Sequence, residues 1–206
     1  MSSPRFLKSL EVKYLAIVIL PLAAMFYSQI TNFTVLAFGE QVFLETRPID
    51  PRDILRGDYV TLGYEISFID GVILANIFGD EDGDFYYDRY SGREIYVTLQ
   101  KDETGIGIVK SVSVTRPPDG LYLRGVIRDR WNGIAYGIGV YYVPEGTGLE
   151  IENRIRDMNE AQILVDVRVL RGRPVIKNLV EFRESVLVPV RPGESPTERE
   201  DERRIE

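Results

Sequence analysis

Apolar and polar residues alternate along most of the chain between positions 40 and 182. Apolar side chains occupy every second position from 60 to 68 and again from 163 to 169. Segments 106–114 and 121–127 show the same period, with Lys110 as the one interruption of the first. A period of two is typical of β-strands that bury one face. The pattern therefore predicts several strands with one face in a common core.

One segment differs because it is apolar on both faces. Residues 133–143, GIAYGIGVYYV, carry no charged side chain and contain three glycines. This composition predicts a central strand that curves strongly or lies close to another layer. Short turn signals rich in Pro, Gly and Asp separate the strand-like segments. The chain is predicted to be mainly β, an antiparallel sandwich or small barrel-like domain, with 147–159 as the best helix candidate in this part of the chain.

A long uncharged segment precedes the alternating region. Residues 14–39 carry no formal charge and follow Arg5, Lys8 and Lys13. The segment is long enough to cross a bilayer as a helix, and membrane helices tolerate a proline such as Pro21. Basic residues before it predict a cytoplasmic N-terminus, with the rest of the chain outside the cytoplasm. A retained anchor is favoured, and a secretory signal cleaved between 35 and 39 remains the alternative.

These patterns divide the chain into three parts. Residues 1–39 are the cytoplasmic basic end and a transmembrane anchor in the cytoplasmic membrane, and 40–182 are an extracytoplasmic β-rich domain. Residues 183–206 are rich in Pro, Glu and Arg and are predicted to be a charged, disordered tail.

Composition narrows the function classes. The chain of 206 residues has a formal net charge of −7, and its basic residues are scattered among acids, which disfavours nucleic-acid binding. It contains no cysteine and no histidine, so disulfides, thiol chemistry and histidine-dependent catalysis or zinc binding are excluded. No cofactor is predicted. Carboxylates, lysines, tyrosines and hydroxyls are what remains for chemistry.

The segment 48–60, PIDPRDILRGDYV, has the residues of a short capped helical turn. Asp50 is suited to the N-cap and Pro51 to the first helical position. Asp53, at the third helical position, can accept a hydrogen bond from the backbone of the cap residue. Gly57 can end the turn in a left-handed conformation, and Asp58 then begins a strand. The simplest interpretation is a rigid turn that directs the next strand.

Residues 57–64, GDYVTLGY, match the pattern GDYxxLxY at every specified position. Pro48, the triplet 50–52 and the later segment 142–146, YVPEG, also fit, so the chain resembles the GDYxxLxY family of bacterial membrane-anchored proteins over roughly residues 10–180. The resemblance implies an N-terminal membrane segment, an extracytoplasmic β-rich domain and a multi-pass membrane protein as partner. It implies no catalytic residue.

The sequence predicts a binding surface where the turn meets the strand. Asp50, Arg52, Asp58, Tyr59 and Glu145 are the candidate partner- or ligand-binding residues, since their side chains can form ion pairs and hydrogen bonds at one rim. A second set is assigned to the architecture of the motif: Pro51, Gly57, Leu62, Tyr64, Pro144 and Gly146. Leu62 and Tyr64 are expected in the core because they lie on the apolar face of the strand.

An acidic loop is a candidate calcium site. Asp80, Asp82, Asp84 and Asp88 occupy positions 1, 3, 5 and 9 of a calcium-loop-like series. Phe85 replaces the glycine of that series, and no bidentate acid follows at its end. A solvated loop tip is therefore the favoured interpretation.

A membrane-anchored hydrolase is the alternative function. The residues 56–60, RGDYV, resemble the strand entry of membrane-anchored signal peptidases, which use a serine and a lysine. Ser28 and Thr34 do not lie in the required context, and no pattern marks a lysine as the base. A carboxylate pair formed by Asp53 and Asp58 is better explained as a cap and a strand start.

Overall fold

The structure, a computed structural model, describes residues 4–47, 59–79, 87–129, 133–143, 162–183 and 186–189. Helix α1 (Pro4–Phe38) contains the uncharged segment, and its section Lys13–Phe38 is long and apolar enough to cross a membrane. Large apolar side chains along it are exposed, with Leu20 74% and Phe26 67% accessible. The helix therefore does not serve as a core helix of the β-domain.

The helix passes into the first strand through a single residue. Strand β1 (Glu40–Arg47) begins directly after Gly39, whose N–H donates to the Val35 carbonyl at 2.7 Å. A Cβ at position 39 would collide with that same carbonyl, which explains why the junction uses glycine. The end of the helix is thus fixed to the domain without a linker.

The remaining elements form three antiparallel sheets joined by short segments. The strands are β2 (Tyr59–Thr61), β3 (Gly63–Tyr64), β4 (Glu94–Lys101), β5 (Gly107–Ser113), β6 (Tyr122–Ile127), β7 (Ile134–Ala135), β8 (Val140–Tyr142), β9 (Gln162–Leu170), β10 (Arg173–Arg183) and β11 (Val186–Pro189). They pair in the orders β11-β10-β9-β1-β3, β5-β4-β6-β7 and β2-β8. A 3₁₀ turn (Glu65–Ser67), α2 (Gly71–Phe78) and α3 (Tyr87–Tyr90) connect them.

The core lies between the five-stranded and four-stranded sheets. Val42 and Leu44 of β1, Val97 of β4, and Val165 and Val167 of β9 are completely buried in one cluster. Each such side chain contributes about 1.5–3 kcal/mol by leaving water. The predicted antiparallel, mainly β fold with an N-terminal helix is confirmed, and the sheets remain open instead of closing into a barrel.

The predicted continuous strand over 60–68 is wrong. The chain pairs with β8 through Tyr59–Thr61, changes to β1 at Gly63–Tyr64, and then forms the 3₁₀ turn. Alternation predicted burial correctly up to Ile66, but Phe68 is 36% exposed. The change of partner at Leu62 is a tertiary feature that a period of two does not encode.

The prediction of a central strand over 133–143 is also wrong. Only Ile134–Ala135 and Val140–Tyr142 are strands, and β7 is the edge of its sheet. Gly137 interrupts them with φ = 79°, in the left-handed region that favours glycine. The predicted close approach is present at Gly133, where a Cβ would collide with the carbonyl oxygen of Ser67.

Strand β5 turns its side chains differently from the prediction because it contains a bulge. The register against β4 shifts at Thr98/Leu99, which leaves Lys110 as the extra residue. Val109 and Val112 consequently pack on the core, whereas Ile108 is 56% exposed. The residue that interrupts the sequence pattern is therefore the bulge itself.

Strand β11 and helix α2 also differ from the sequence-based outline. Strand β11 pairs with β10 inside the segment predicted to be a disordered tail, because 186–189, VLVP, is apolar enough to extend the sheet. Helix α2 was not predicted, although Asp70 caps it by accepting from the Val72 N–H and Gly79 ends it with φ = 75°. The helix candidate 147–159 lies outside the described residues.

Candidate functional site

The second half of the GDYVTLGY segment is fixed to the backbone of residues 138–139. Leu62 and Tyr64 are buried, as the alternation predicts. The Leu62 N–H donates to the Gly139 carbonyl at 2.9 Å, and the Tyr64 hydroxyl donates to the Ile138 carbonyl at 2.6 Å. These two residues of the motif therefore serve the architecture, since both hold a segment more than 70 residues away in the sequence.

A second tyrosine makes the reciprocal hydrogen bond between the two segments. The buried Tyr136 hydroxyl donates to the carbonyl of Ile66 at 2.7 Å, so each segment gives one tyrosine to the backbone of the other. We call Tyr64, Tyr136 and their acceptors Ile138 and Ile66 the tyrosine clasp. Burial raises the pKa of both phenols well above the usual range for tyrosine. Both hydroxyls consequently stay protonated and act as donors, not as bases.

Strands β2 and β8 form a ribbon with one buried and one open face. Tyr59 lies opposite Tyr142, with ring centroids 6.4 Å apart in an edge arrangement. Tyr142 is 78% exposed and Val140, on the same face, is 45% exposed. The other face carries fully buried Val60 opposite Tyr141. The open face is therefore an aromatic and apolar surface of the β-domain.

A cleft of about 650 Å³ lies beside this ribbon, near the C-terminal end of helix α1. Its walls come from Asn32 of α1, from the 136–142 segment that the tyrosine clasp holds, and from residues 173–176 at the start of β10. Partial burial raises the pKa of Tyr141, which lines it. The signature motif thus holds one wall of a cleft to which helix α1 contributes Asn32.

The cation at the cleft, Arg173, is positioned by a tight hairpin turn. Arg171 and Gly172 have φ of 52° and 83°, which is typical of a two-residue turn between antiparallel strands. A Cβ on Gly172 would lie 2.5 Å from the Tyr122 ring, so glycine is needed here. From the end of this turn, the Arg173 guanidinium donates to the Asn32 side-chain oxygen at 2.9 Å. That bond ties the cleft to the helix.

Four of the five predicted binding residues lie outside the described residues, namely Asp50, Arg52, Asp58 and Glu145. The same holds for Pro51, Gly57, Pro144 and Gly146, which are assigned to the architecture of the motif. Tyr59 is described and lies half-buried at the edge of the open ribbon face. Because Tyr59 and Tyr142 are antiparallel partners, the chain enters β2 and leaves β8 at the same end of the ribbon. The predicted rim around Asp58 and Glu145 remains a prediction.

Two of the lysines considered for a catalytic role, Lys101 and Lys177, are held by carboxylates of the sheet. Lys101 contacts the Glu40 carboxylate at 2.6 Å and the Gln41 carbonyl at 3.1 Å. Lys177 lies 3.7 Å from Asp166, a buried carboxylate that also accepts from the Gln41 side chain at 3.1 Å. These ion pairs and hydrogen bonds join neighbouring parts of the β-domain, and neither lysine is placed beside a serine by them.

The acidic loop is described only at its end. Asp80, Asp82 and Asp84 lie outside the described residues, and Asp88 lies in helix α3. Where the structure describes the chain, no three acidic side chains come together as metal ligands would. Tyr87 and Tyr90 of α3 pack on the core. The calcium candidate stays a prediction.

Sequence reasoning missed Asn32, Tyr136 and Arg173. The signal for Asn32 is its polarity near the end of a long uncharged segment, and 171–174 is recognisable as a turn. No local pattern shows that the two meet, because 141 residues separate them. Tyr136 is hidden for the same reason, since its acceptor is a backbone carbonyl 70 residues away.

Comparison with known protein families gives a match over most of the chain. The family model described as GDYXXLXY protein matches residues 21–179, which is most of the chain. No curated protein and no solved structure matches the chain significantly. The matched range contains the end of α1, the signature segment, both clasp tyrosines and the hairpin that carries Arg173.

Proposed function

The chain belongs to the GDYXXLXY family, and from that membership we propose that it is a membrane-anchored interaction module. In this proposal α1 anchors the protein in the cytoplasmic membrane. The β-domain lies outside the cytoplasm and binds an integral membrane protein, of the multi-pass kind that the family resemblance implies. The module performs no reaction of its own.

The observation that carries the proposal is the direct passage from the apolar helix into the sandwich. A helix with exposed apolar side chains needs a non-aqueous surrounding, and a bilayer supplies one of the right thickness. Arg5, Lys8 and Lys13 precede its apolar section, which by the positive-inside rule supports an external β-domain. Since only Gly39 separates helix and strand, the domain would be held against the membrane surface.

The open face of the β2–β8 ribbon supports the choice of partner. Exposed aromatic side chains such as Tyr142 are enriched in protein–protein interfaces. The ribbon borders a cleft that includes Asn32 of the helix, so its surface is close to where a membrane partner would emerge. The predicted rim residues Asp58 and Glu145 would extend the same surface with charged groups.

Site-specific photo-crosslinking in native membranes tests this proposal. A photo-reactive residue replaces Thr61, which is exposed on the open ribbon face outside the cleft, and a matched one replaces Ile108, which is exposed on β5. We expect an adduct with an integral membrane protein from position 61 and none from 108. Arg52→Ala and Asp58→Ala should lower the yield. Equal adducts from both positions, or no adduct at 61, would contradict the proposal.

A further inference from the structure

We propose that the cleft near the C-terminal end of α1 binds the headgroup of an anionic phospholipid from the outer leaflet, with Arg173 as its phosphate contact. This inference rests on the anchoring part of the proposed function and adds a ligand to it. The juxtaposition that carries it is an exposed arginine, a polar helix position and an apolar wall around one cavity of about 650 Å³.

The first step is the depth of the cleft. A hydrocarbon core of about 30 Å takes about 20 helical residues. With Lys13 placed at the inner boundary, the helix leaves the core near residue 33, which puts Asn32 at the level of the headgroups and the rest of the apolar section, up to Phe38, beyond the core. Because Asn32 is a wall of the cleft, the cavity opens at the level where lipid phosphates lie.

The second step is charge. A guanidinium has five N–H donors in a planar arrangement that suits phosphate oxygens. The structure gives one contact, to Asn32, and no carboxylate among the described residues pairs with Arg173. Arg171, on the same turn, is also exposed and adds a second positive charge nearby. The net charge of −7 makes general attraction to an anionic surface unfavourable, so the contact must be local.

The third step is the remainder of the lining. Ile138, Val140, Val175 and Ile176 give an apolar wall suited to the glycerol backbone and the first carbons of the chains. Tyr142 is exposed beside them, and tyrosines are enriched at the membrane interface, where the ring is in apolar and the hydroxyl in polar surroundings. A phosphate above an apolar wall is the chemistry of a phospholipid and not of a free anion.

The test uses the full chain purified in a non-ionic detergent and short-chain dioctanoyl phosphatidylglycerol as the probe, with binding followed by native mass spectrometry. We expect one lipid per chain. Arg173→Gln should weaken binding at least about tenfold, because it removes the charge-assisted contact to the phosphate. Lys110→Gln removes the same charge from β5, at the opposite edge of its sheet from β7, and should leave binding unchanged.

Further arms separate the sources of the phosphate and the role of the cleft. Val140→Trp keeps every charge but obstructs the cleft, and we expect it to abolish lipid binding. Inorganic phosphate at millimolar concentration should not displace the lipid, and dioctanoylglycerol, which lacks the phosphate, should not bind. Displacement by inorganic phosphate would overturn the lipid assignment. Equal losses in Arg173→Gln and Lys110→Gln, or no binding by the folded wild-type chain, would overturn the site.

This experiment can fail independently of the proposed function. A chain that resists extraction from membranes by alkaline carbonate, yet binds no phosphatidylglycerol in detergent, would remain an anchored module without this lipid site. A chain released by carbonate would contradict the anchor itself.

Discussion

Removal of one hydroxyl tests whether the signature motif stabilises the domain through the tyrosine clasp. Tyr64→Phe deletes the donor to the Ile138 carbonyl at 2.6 Å and keeps the ring in the core. Ile138 is only 5% exposed, so water cannot readily replace the lost donor. A buried acceptor left without a partner costs about 1–3 kcal/mol, and we expect the free energy of unfolding to fall by that amount.

The matched control is Tyr142→Phe. It removes the same atom from a ring that is 78% exposed, where water hydrates the hydroxyl in both states. The expected change is within about 0.5 kcal/mol. Tyr136→Phe completes a double-mutant cycle with Tyr64→Phe. Because the two hydrogen bonds join the same pair of segments, the cycle should give a coupling energy of about 0.5 kcal/mol or more.

The assay is urea unfolding of the full chain in detergent micelles, followed by near-ultraviolet circular dichroism of the tyrosines. Ten of the twelve tyrosines lie outside α1, so the near-ultraviolet signal reports mainly on the β-domain. Equal midpoints and slopes for Tyr64→Phe and Tyr142→Phe would refute the reasoning. A cycle with zero coupling would show that the two tyrosines act separately.

Three further predictions concern pH and the turns. Stability should fall as pH rises above about 10, the pKa of an unfolded tyrosine, because the unfolded chain then loses protons that buried Tyr64 and Tyr136 retain. In a pH series, the urea midpoint of the double variant Tyr64→Phe/Tyr136→Phe should fall less steeply than that of the wild type. An equal slope would contradict this. Gly133→Ala should cost more stability than Gly137→Ala, since both have positive φ but only a Cβ at 133 meets a backbone carbonyl; equal losses in thermal unfolding would contradict the close approach. Hydrogen bonds, first that from the Thr104 side chain, lower the pKa of Asp102 in the folded chain. The contribution of this carboxylate to stability is therefore present above the unfolded pKa of about 4 and is lost as pH falls through the folded pKa. The stability difference between the wild type and Asp102→Asn should shrink in acid, and a constant difference would contradict this.

The sequence was sufficient for features that repeat within one segment. The period of two over 163–169 identifies a strand whose apolar side chains are all buried, and the uncharged segment 14–39 identifies the helix. Leu62 and Tyr64 could be assigned to the core because the alternation around them reports burial directly. In each case the physical signal and the structural consequence lie in the same few residues.

Features that depend on contacts between distant segments could not be predicted. The strand over 60–68 is interrupted because the Leu62 N–H finds its acceptor at Gly139. The tyrosine clasp uses backbone carbonyls, which every residue possesses, so no side-chain pattern marks them. The cleft exists only because the 171–174 turn and the end of α1 meet across 141 residues. Lys110 is an intermediate case. Its interruption of the alternation is visible in the sequence, but the sequence does not show that the interruption is a β-bulge.

The central claim, an anchor that holds an external β-domain, is tested most directly by the accessibility of introduced cysteines. The chain has no cysteine of its own, so each single substitution gives one label site. Ser3→Cys marks the N-terminal end, and Lys110→Cys marks an exposed position of the β-domain. In intact spheroplasts, a membrane-impermeant maleimide should label Lys110→Cys at once and Ser3→Cys only after the membrane is permeabilised. Protection of Lys110→Cys until permeabilisation would contradict the account.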